Sequence, residues 1–326
     1  MSTHPYEHLT PEVILAAVET HGVRCTGAFL ALNSYENRVY RVEREDGSRV
    51  SIKFYRPGRW NEVAIGEEHA FATALADEEI PVVAPLAGPG GTLGELAGFK
   101  FAVFPWAPGR VSEIARRDER LLLGRFLGRL HRVGDALGPF AARPHLTVAD
   151  YGHRALAFVL EAAFVPDYLK TTYADLAQDA LARVGEAFVH FRARRLHGDC
   201  HLGNLLWESE RLHIVDLDDC RMGPAVQDLW MLLSGSRAEQ EHQLAELLEG
   251  YTQFCEFDAE ELALIEPLRT LRIVHYAGWL ARRWDDPAFP RAFPWFAGPR
   301  YWEEQVLTLR EQIAAMQEPP IRWSGA

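Results

Sequence analysis

His197-Gly198-Asp199-Cys200-His201-Leu202-Gly203-Asn204 is followed, twelve positions after Asn204, by Asp216 in His213-Ile214-Val215-Asp216-Leu217-Asp218-Asp219. The order is a carboxylate, an amide five residues on, and a second carboxylate that closes an apolar run. Transfer of a phosphoryl group to a hydroxyl asks for such a set. One carboxylate holds the attacking hydroxyl, while an amide and a second carboxylate hold magnesium on the nucleotide phosphates. Magnesium takes hard oxygen donors, few of them from protein, and completes its shell with phosphates and water. Asp199 is thus the candidate base, and Asn204 and Asp216 the candidate metal ligands, Asp216 counting also as catalytic. Taken singly, each reads as a turn or cap residue; their ordered spacing favours the joint role. Asp218 shares a face with Asp216 if the segment is extended, which makes it a candidate second ligand.

The two histidines of the motif invite a zinc reading, because they stand four residues apart. Gly198 and Gly203 argue for a loop instead of a helix, and the glutamate of H-E-x-x-H is missing. His197 is read as a brace for the loop, and His201 receives no role. Cysteines occur at 25, 200, 220 and 255, with no C-x-x-C. That pattern fits reduced thiols in a cytoplasmic protein. Cys200 is a secondary candidate for reaction with electrophiles.

A phosphate site also needs cations and backbone donors. Lys53 lies in Val50-Ser51-Ile52-Lys53-Phe54-Tyr55, which alternates as a strand should. Its partner would be a glutamate on the next helix, Asn61 to Ala76, where Glu67 and Glu68 are both available. One helical residue rotates by about 100°; Glu68 is favoured because it places Phe71 and Leu75 on adjacent faces for packing. The loop Leu32 to Arg38 precedes the strand Asn37 to Val42. It has no glycine, but Ser34 and the backbone amides can donate to phosphate oxygens. Phe104 and Trp106 flank a Pro- and Gly-rich stretch, Pro105 to Gly109, read as a hinge at the adenine edge. The same residues would serve a plain linker with buried aromatics.

The remaining elements position these groups. Pro11 to Glu19 reads as a helix capped by Thr10. Asp46-Gly47 turns the hairpin, and Phe99 to Phe104 forms a further strand. Residues 151–192 are mostly helical, a short β insert follows at 195–219, and the chain is helical again from 237. The expected fold is α+β and bilobal, with a small antiparallel-sheet lobe over residues 1–105 and a larger helical lobe over 106–326. A cleft between such lobes is where ligands bind. The chain has 326 residues, 48% hydrophobic and 25% charged, with a formal net charge of -12. That charge argues against nucleic acid and anionic membrane as partners. Met1 to Pro11 lacks the basic start and apolar core of a signal peptide, and no apolar run approaches a membrane span.

His197-Gly198-Asp199-Cys200-His201-x-x-Asn204 with Val215-Asp216-Leu217-Asp218-Asp219 resembles the aminoglycoside phosphotransferase and choline kinase superfamily. The H-x-D-x-x-x-x-N spacing is also that of the protein-kinase catalytic loop. Leu32 to Tyr40, Lys53 to Pro57, Gln227 to Leu233, and Arg283-Trp284-x-x-Pro287-Ala288-Phe289-Pro290 narrow the likeness to a bacterial stress-response branch. The resemblance spans about residues 9 to 320. It implies the bilobal protein-kinase-like fold and a cytoplasmic serine/threonine protein kinase that uses ATP as co-substrate and magnesium. It implies Asp199 as proton acceptor, Asn204 and Asp216 on magnesium, Ser34 at the ATP, protein substrates, autophosphorylation and a monomer. The chain departs from ordinary protein kinases in lacking a Gly-rich loop, in having Asp216-Leu217-Asp218 in place of D-F-G, and in lacking A-P-E. The alternative is a kinase of an aminoglycoside, choline or other amino alcohol, or sugar, with Asp285 and Asp286 binding a cationic acceptor.

Overall fold

The computed structural model describes residues 4–323 and 325. Its elements in chain order are α1 (Pro11–Thr20), β1 (Cys25–Ala31), β2 (Arg38–Arg44), β3 (Arg49–Phe54), α2 (Glu62–Asp77), β4 (Gly94–Leu96), β5 (Phe99–Pro105) and β6 (Arg110–Val111). Then come α3 (Arg117–Leu137), α4 (Arg154–Glu161), α5 (Asp167–Ala187), β7 (Arg194–Leu196), β8 (Leu205–Glu208), β9 (Arg211–Ile214) and β10 (Arg221–Gly223). Helices α6 (Gln227–Trp230), α7 (Arg237–Tyr251), α8 (Ile265–Arg283), α9 (Ala288–Ala292) and α10 (Pro299–Ala315) complete the chain. These elements gather into two compact units, each discontinuous in sequence. One takes the chain up to Ile114, Arg132–Arg143 and Asp199–Cys220; the other takes Ala115–His131, Pro144–Gly198 and the chain from Arg221 onward.

In the first unit an antiparallel sheet has the order β1-β2-β3-β5-β4. Period-two alternation sorts β3 into two faces. Val50, Ile52 and Phe54 join Ile14, Ala17 and Val18 of α1 in one core. Lys53 takes the other face, opposite Val39 of β2 and Ala102 of β5. Helix α2 starts at an N-cap, Asn61, whose side chain accepts from Ala64 N at 2.8 Å. Its buried residues include Ala64, Glu68, Phe71 and Leu75, a helical stripe with one charge in it. Strand β1 gives little signal in the sequence because none of its residues is fully buried. Pro105 ends β5 opposite Val50, and the irregular stretch 106–109 leads on to β6. A second sheet, β6-β8-β9, is built on the β8–β9 hairpin, with Leu205 opposite Ile214. The extended stretch at Pro81 docks beside it, through Ile214 N to Pro81 O at 2.7 Å and Val83 N to Ile214 O at 3.0 Å.

The second unit is mainly helical. Its α7 opens with a capping box, Ser236 and Glu239 exchanging side-chain and backbone bonds. A short ribbon pairs β10 with β7 antiparallel, Arg221 opposite Leu196. Glycines let the α3 segment and α7 approach backbone to backbone. A Cβ on Gly124 would strike Leu247 O, one on Gly128 would strike Tyr251 O, and one on Gly250 would strike Leu121 O. Among the described residues no helix is long and apolar enough to cross a membrane.

The glycine contacts make a testable demand. Gly128→Ala must either separate the two backbones or distort them, a form of overpacking that costs about 1–3 kcal/mol. Chemical denaturation should show a loss of that size. A variant as stable as the wild type would mean the helices are not held at this distance.

Candidate active site

Lys53 and Glu68 meet first. Lys53 Nζ lies 2.6 Å from Glu68 Oε1, and both side chains are buried. The Tyr55 hydroxyl stands 3.2 Å from the same oxygen and 2.8 Å from His69 Nε2, and His69 Nδ1 is 2.8 Å from Thr92 Oγ1. Burial holds His69 down to about 4, so this ring is a neutral strut. Burial also pulls Lys53 toward the neutral form, but Glu68, Asp218 and Asp216 are among the groups that outweigh it and keep the ammonium well above its ordinary pKa. Glu67, one residue round the helix, does something else. Its carboxylate accepts from the backbone amides of Ala141, Ala142 and Arg143 at 2.6, 2.8 and 2.9 Å.

Arg143, held at its backbone by Glu67, reaches Glu68 with its side chain. Its Nη2 donates to Glu68 Oε2 at 2.6 Å, its Nε to Ala64 O at 2.8 Å, and its Nη1 to the carbonyl of Asp218. Arg59 pairs with Asp218 Oδ2 and, at 2.7 Å, with Asp219 Oδ1. It also lies 3.7 Å from Glu36, two residues past Ser34. Neither Arg59 nor Arg143 was singled out in the sequence.

Asp216 adopts the left-handed conformation, φ 63 and ψ 65. Aspartate tolerates this region better than most residues. β9 has ended at Ile214, the turn at Asp216 keeps the extended run from continuing, and Leu217–Asp219 forms one 3-10 turn. Period two no longer applies, so Asp216 and Asp218 do not share a strand face as the sequence suggested. The Asp216 side chain stays 51% exposed while that of Asp218 is 2% exposed. Lys53 Nζ reaches both, at 3.7 and 3.6 Å. The protein packed around it, with Asp218, Asp219 and Glu68, pushes the Asp216 carboxyl upward against the pull of Lys53, an effect that its half-exposed position weakens. Burial would raise Asp218 too, but Arg59, Lys53 and Arg143 keep it below the ordinary range.

Hairpin register brings Asn204 beside this corner. Leu205 pairs with Ile214, and Val215 N donates to Asn204 O at 3.0 Å. The twelve-residue spacing in sequence is thus a two-strand turn in space. Asn204 Nδ2 donates to Asp199 O at 3.0 Å, which leaves the amide oxygen as the atom suited to a cation. Among the described residues no three His, Cys, Asp or Glu side chains group to hold a metal, so the zinc reading of the histidines has no support. The donor set present, one amide oxygen and one half-exposed carboxylate, fits a hard divalent cation that keeps ligands from phosphate and water. Asp218 Oδ1 is buried without a hydrogen bond, 3.6 Å from Lys53 Nζ, while Arg59 takes its other oxygen.

The other expected residues are placed as follows. Ser34 Oγ donates to Asn37 O at 3.0 Å inside its own loop. Phe104 has Lys53 Nζ 5.6 Å from its ring centre, whereas Trp106 stacks with Arg41 at 5.7 Å. Cys200 is buried, out of reach of electrophiles in solvent, and all four cysteines are free thiols. Asp286 is buried and accepts from Ala288 N at 3.1 Å just ahead of α9; Asp285 is exposed. In the helical unit, Asp228 accepts from His197 N at 2.7 Å and Gly198 N at 2.9 Å, with His131 Nε2 3.1 Å away. It anchors the chain one residue ahead of Asp199. Its signal was an acid directly ahead of the apolar run Leu229 to Leu233, since a charge buried there must be paired.

Comparison with known proteins decides the family. Residues 29–265 match the phosphotransferase enzyme family. The chain belongs to this family. Stress response kinase A of Salmonella typhi is 46% identical over 318 residues, 97% of this chain and 96% of that protein. The same-named protein of Escherichia coli K12 is 45% identical over 322 residues, 98% of each chain. A Salmonella typhimurium protein named serine/threonine protein kinase RdoA is 45% identical over 97% of this chain and 96% of its own. Among solved structures, amicoumacin kinase hAmiN in complex with AMP-PNP, Ca2+ and Ami matches with TM-score 0.72 at 20% identity, covering 95% of this chain and 94% of that one. A microcompartment-associated aminopropanol kinase matches at 0.71 and 18%, covering 96% and 99%. The phosphotransferase fold of this chain is the α+β protein-kinase-like fold.

Two outcomes follow from the charges. Arg143→Met leaves Glu68 short of a partner in the interior, and breaking a buried pair costs about 3–5 kcal/mol; chemical denaturation measures it. Asp216 has a folded pKa above its ordinary value, so its contribution to stability is full at low pH and lost as pH rises through that raised value. Asp216→Asn, in metal-free buffer, should gain melting temperature over the wild type as pH rises from about 4 to about 7. A gap that stays constant with pH would contradict the raised pKa.

Proposed function

We propose that this phosphotransferase moves the γ-phosphoryl group of ATP to serine or threonine hydroxyls of proteins, with magnesium, in a stress response of the cytoplasm. The observation that carries the reading is one arrangement inside a single unit: Lys53 paired to Glu68, both facing the Asp216 corner beside Asn204. The acceptor class rests on a further fact, 45% identity along the chain to a protein named as a serine/threonine kinase.

In this reading Lys53 steadies the nucleotide phosphates, Glu68 keeps Lys53 aimed, and the Ser34 loop donates to phosphate oxygens. Phe104 and Trp106 flank the adenine. Asn204 and Asp216 would hold magnesium, which when bound would neutralise charge on the nucleotide phosphates. Asp199 holds the acceptor hydroxyl and takes its proton as the oxygen forms its bond to the γ-phosphorus and the bond to the ADP oxygen breaks. Such a transfer is chiefly positioning and charge stabilisation.

A second reading, a small-molecule kinase, is favoured by the structural neighbours, one titled for an aminopropanol kinase and one for an amicoumacin kinase. Their identity to this chain is 18–20%, against 45–46% for the stress response kinases.

Labelled ATP, magnesium and dephosphorylated casein should give phosphoserine or phosphothreonine with the wild type. Asp199→Ala should lower the rate by roughly 10²- to 10⁴-fold. Label equal in both proteins would sink the proposal. Saturable turnover of one small alcohol, with none on casein or on the chain itself, would establish the second reading, and ATP binding with no transfer at all would leave a binding module.

A further inference from the structure

We infer that His201 is a positioning residue that orients the Asp199 carboxylate. The inference rests on the phosphotransferase reading of Asp199 and goes beyond it. His201 begins the one-turn helix Leu202–Asn204 as its N-cap. Its Nδ1 accepts from Gly203 N at 2.9 Å. A backbone amide can only donate, so Nδ1 must be the unprotonated nitrogen. In a neutral imidazole the proton then sits on Nε2. Nε2 lies 3.3 Å from Asp199 Oδ2. The backbone thus selects the tautomer, and the tautomer leaves the protonated nitrogen 3.3 Å from the candidate base, close enough to bias its carboxylate.

Three details build the same device. Gly203 has no side chain, and a Cβ there would come within 2.6 Å of the His201 ring; only glycine lets the ring fold over its own turn. His201 N donates to Asp199 O at 2.9 Å, and Asn204 N to His201 O at 2.9 Å, so the ring is carried on a closed stretch of chain. Asn204 Nδ2 donates to Asp199 O at 3.0 Å, fixing the backbone of Asp199 while His201 addresses its side chain. His201 and Asp199 are 35% and 28% exposed, near enough to solvent for an acceptor hydroxyl to arrive. A carboxylate that must meet a hydroxyl in line with phosphorus benefits from having its rotation fixed beforehand.

A capping role alone would need only Nδ1. The two roles separate by substitution, because asparagine reproduces the Nδ1 acceptor and glutamine the Nε2 donor. In the full chain, His201→Asn should keep the melting temperature while kcat for ADP release from magnesium-ATP, with casein as acceptor, falls roughly 10- to 100-fold at nearly unchanged KM for ATP. His201→Gln should recover much of kcat. Asp199→Asn is the control on the underlying reading: wild-type turnover in that variant means the phosphotransferase assignment of Asp199 is wrong. Loss there, with His201→Asn as fast as wild type, overturns the positioning role alone, as does equal loss in the Asn and Gln variants. Long-range proton–nitrogen NMR of the histidine rings gives an acceptor-independent reading. The signal missing from His201→Gln should belong to a ring whose Nδ1 carries no proton, as the Gly203 bond requires; a ring protonated on Nδ1 overturns the inference.

Discussion

Glu68 is the charge around which the nucleotide side of this molecule is arranged. A carboxylate with 2% exposure is costly unless paired and hydrogen-bonded. Lys53 takes one oxygen and Arg143 the other. Each of these cations then faces Asp218, Lys53 through its side chain and Arg143 through its carbonyl, and Arg59 closes the set. Lys53, Arg143 and Arg59 thus meet Glu68, Asp216, Asp218 and Asp219, with Glu36 beside Arg59. The pairing joins β3, α2, the segment ending at Arg143 and the turn after β9 inside one unit. A pair of this kind adds little net stability over an apolar core, because desolvation offsets the attraction. What it adds is location: Lys53 cannot wander, since every alternative leaves a buried charge unmatched.

The other constraint is the backbone at Asp216. A left-handed non-glycine residue costs of order 1–3 kcal/mol and persists only where the surroundings over-determine it. Here the surroundings do so from both sides. Ile214 is locked between Leu205 and the Pro81 stretch, and Asp218 is locked by Arg59 and Arg143. Between the two locks the chain must reverse, and reversal through φ 63 turns one carboxylate out and the next one in. Strain thereby separates two acids only two residues apart into a solvent-facing group and a structural one.

Much of this was legible in the sequence, and the limits were physical. Lys53 could be found because period two in β3 leaves one polar residue between Ile52 and Phe54, and Glu68 because it falls on the stripe of Phe71 and Leu75. Asn204 and Asp216 could be found because a hairpin turns fixed spacing into proximity. Arg143 and Arg59 could not. They lie 75 and 159 residues from their partners Glu68 and Asp218, and no periodicity relates groups that far apart. The extended reading of Asp216 to Asp218 failed because alternation assumes that the strand continues, and a single left-handed residue keeps it from doing so.

His201 shows why a residue can sit inside the most legible motif and still go unread. Its two nitrogens act on different partners, and which does what is decided by a backbone amide two residues later, not by residue type. Spacing suggested a metal ligand because both nitrogens of a histidine look alike in a sequence. Once Gly203 occupies Nδ1, the ring can no longer offer that atom to a cation, and the remaining nitrogen lies 3.3 Å from an acid. The loop from Asp199 to Asn204 therefore spends its side chains inward, on each other and on the backbone, before any substrate is present. For a reaction whose barrier is lowered mainly by alignment, that prior organisation is the contribution the loop has to make.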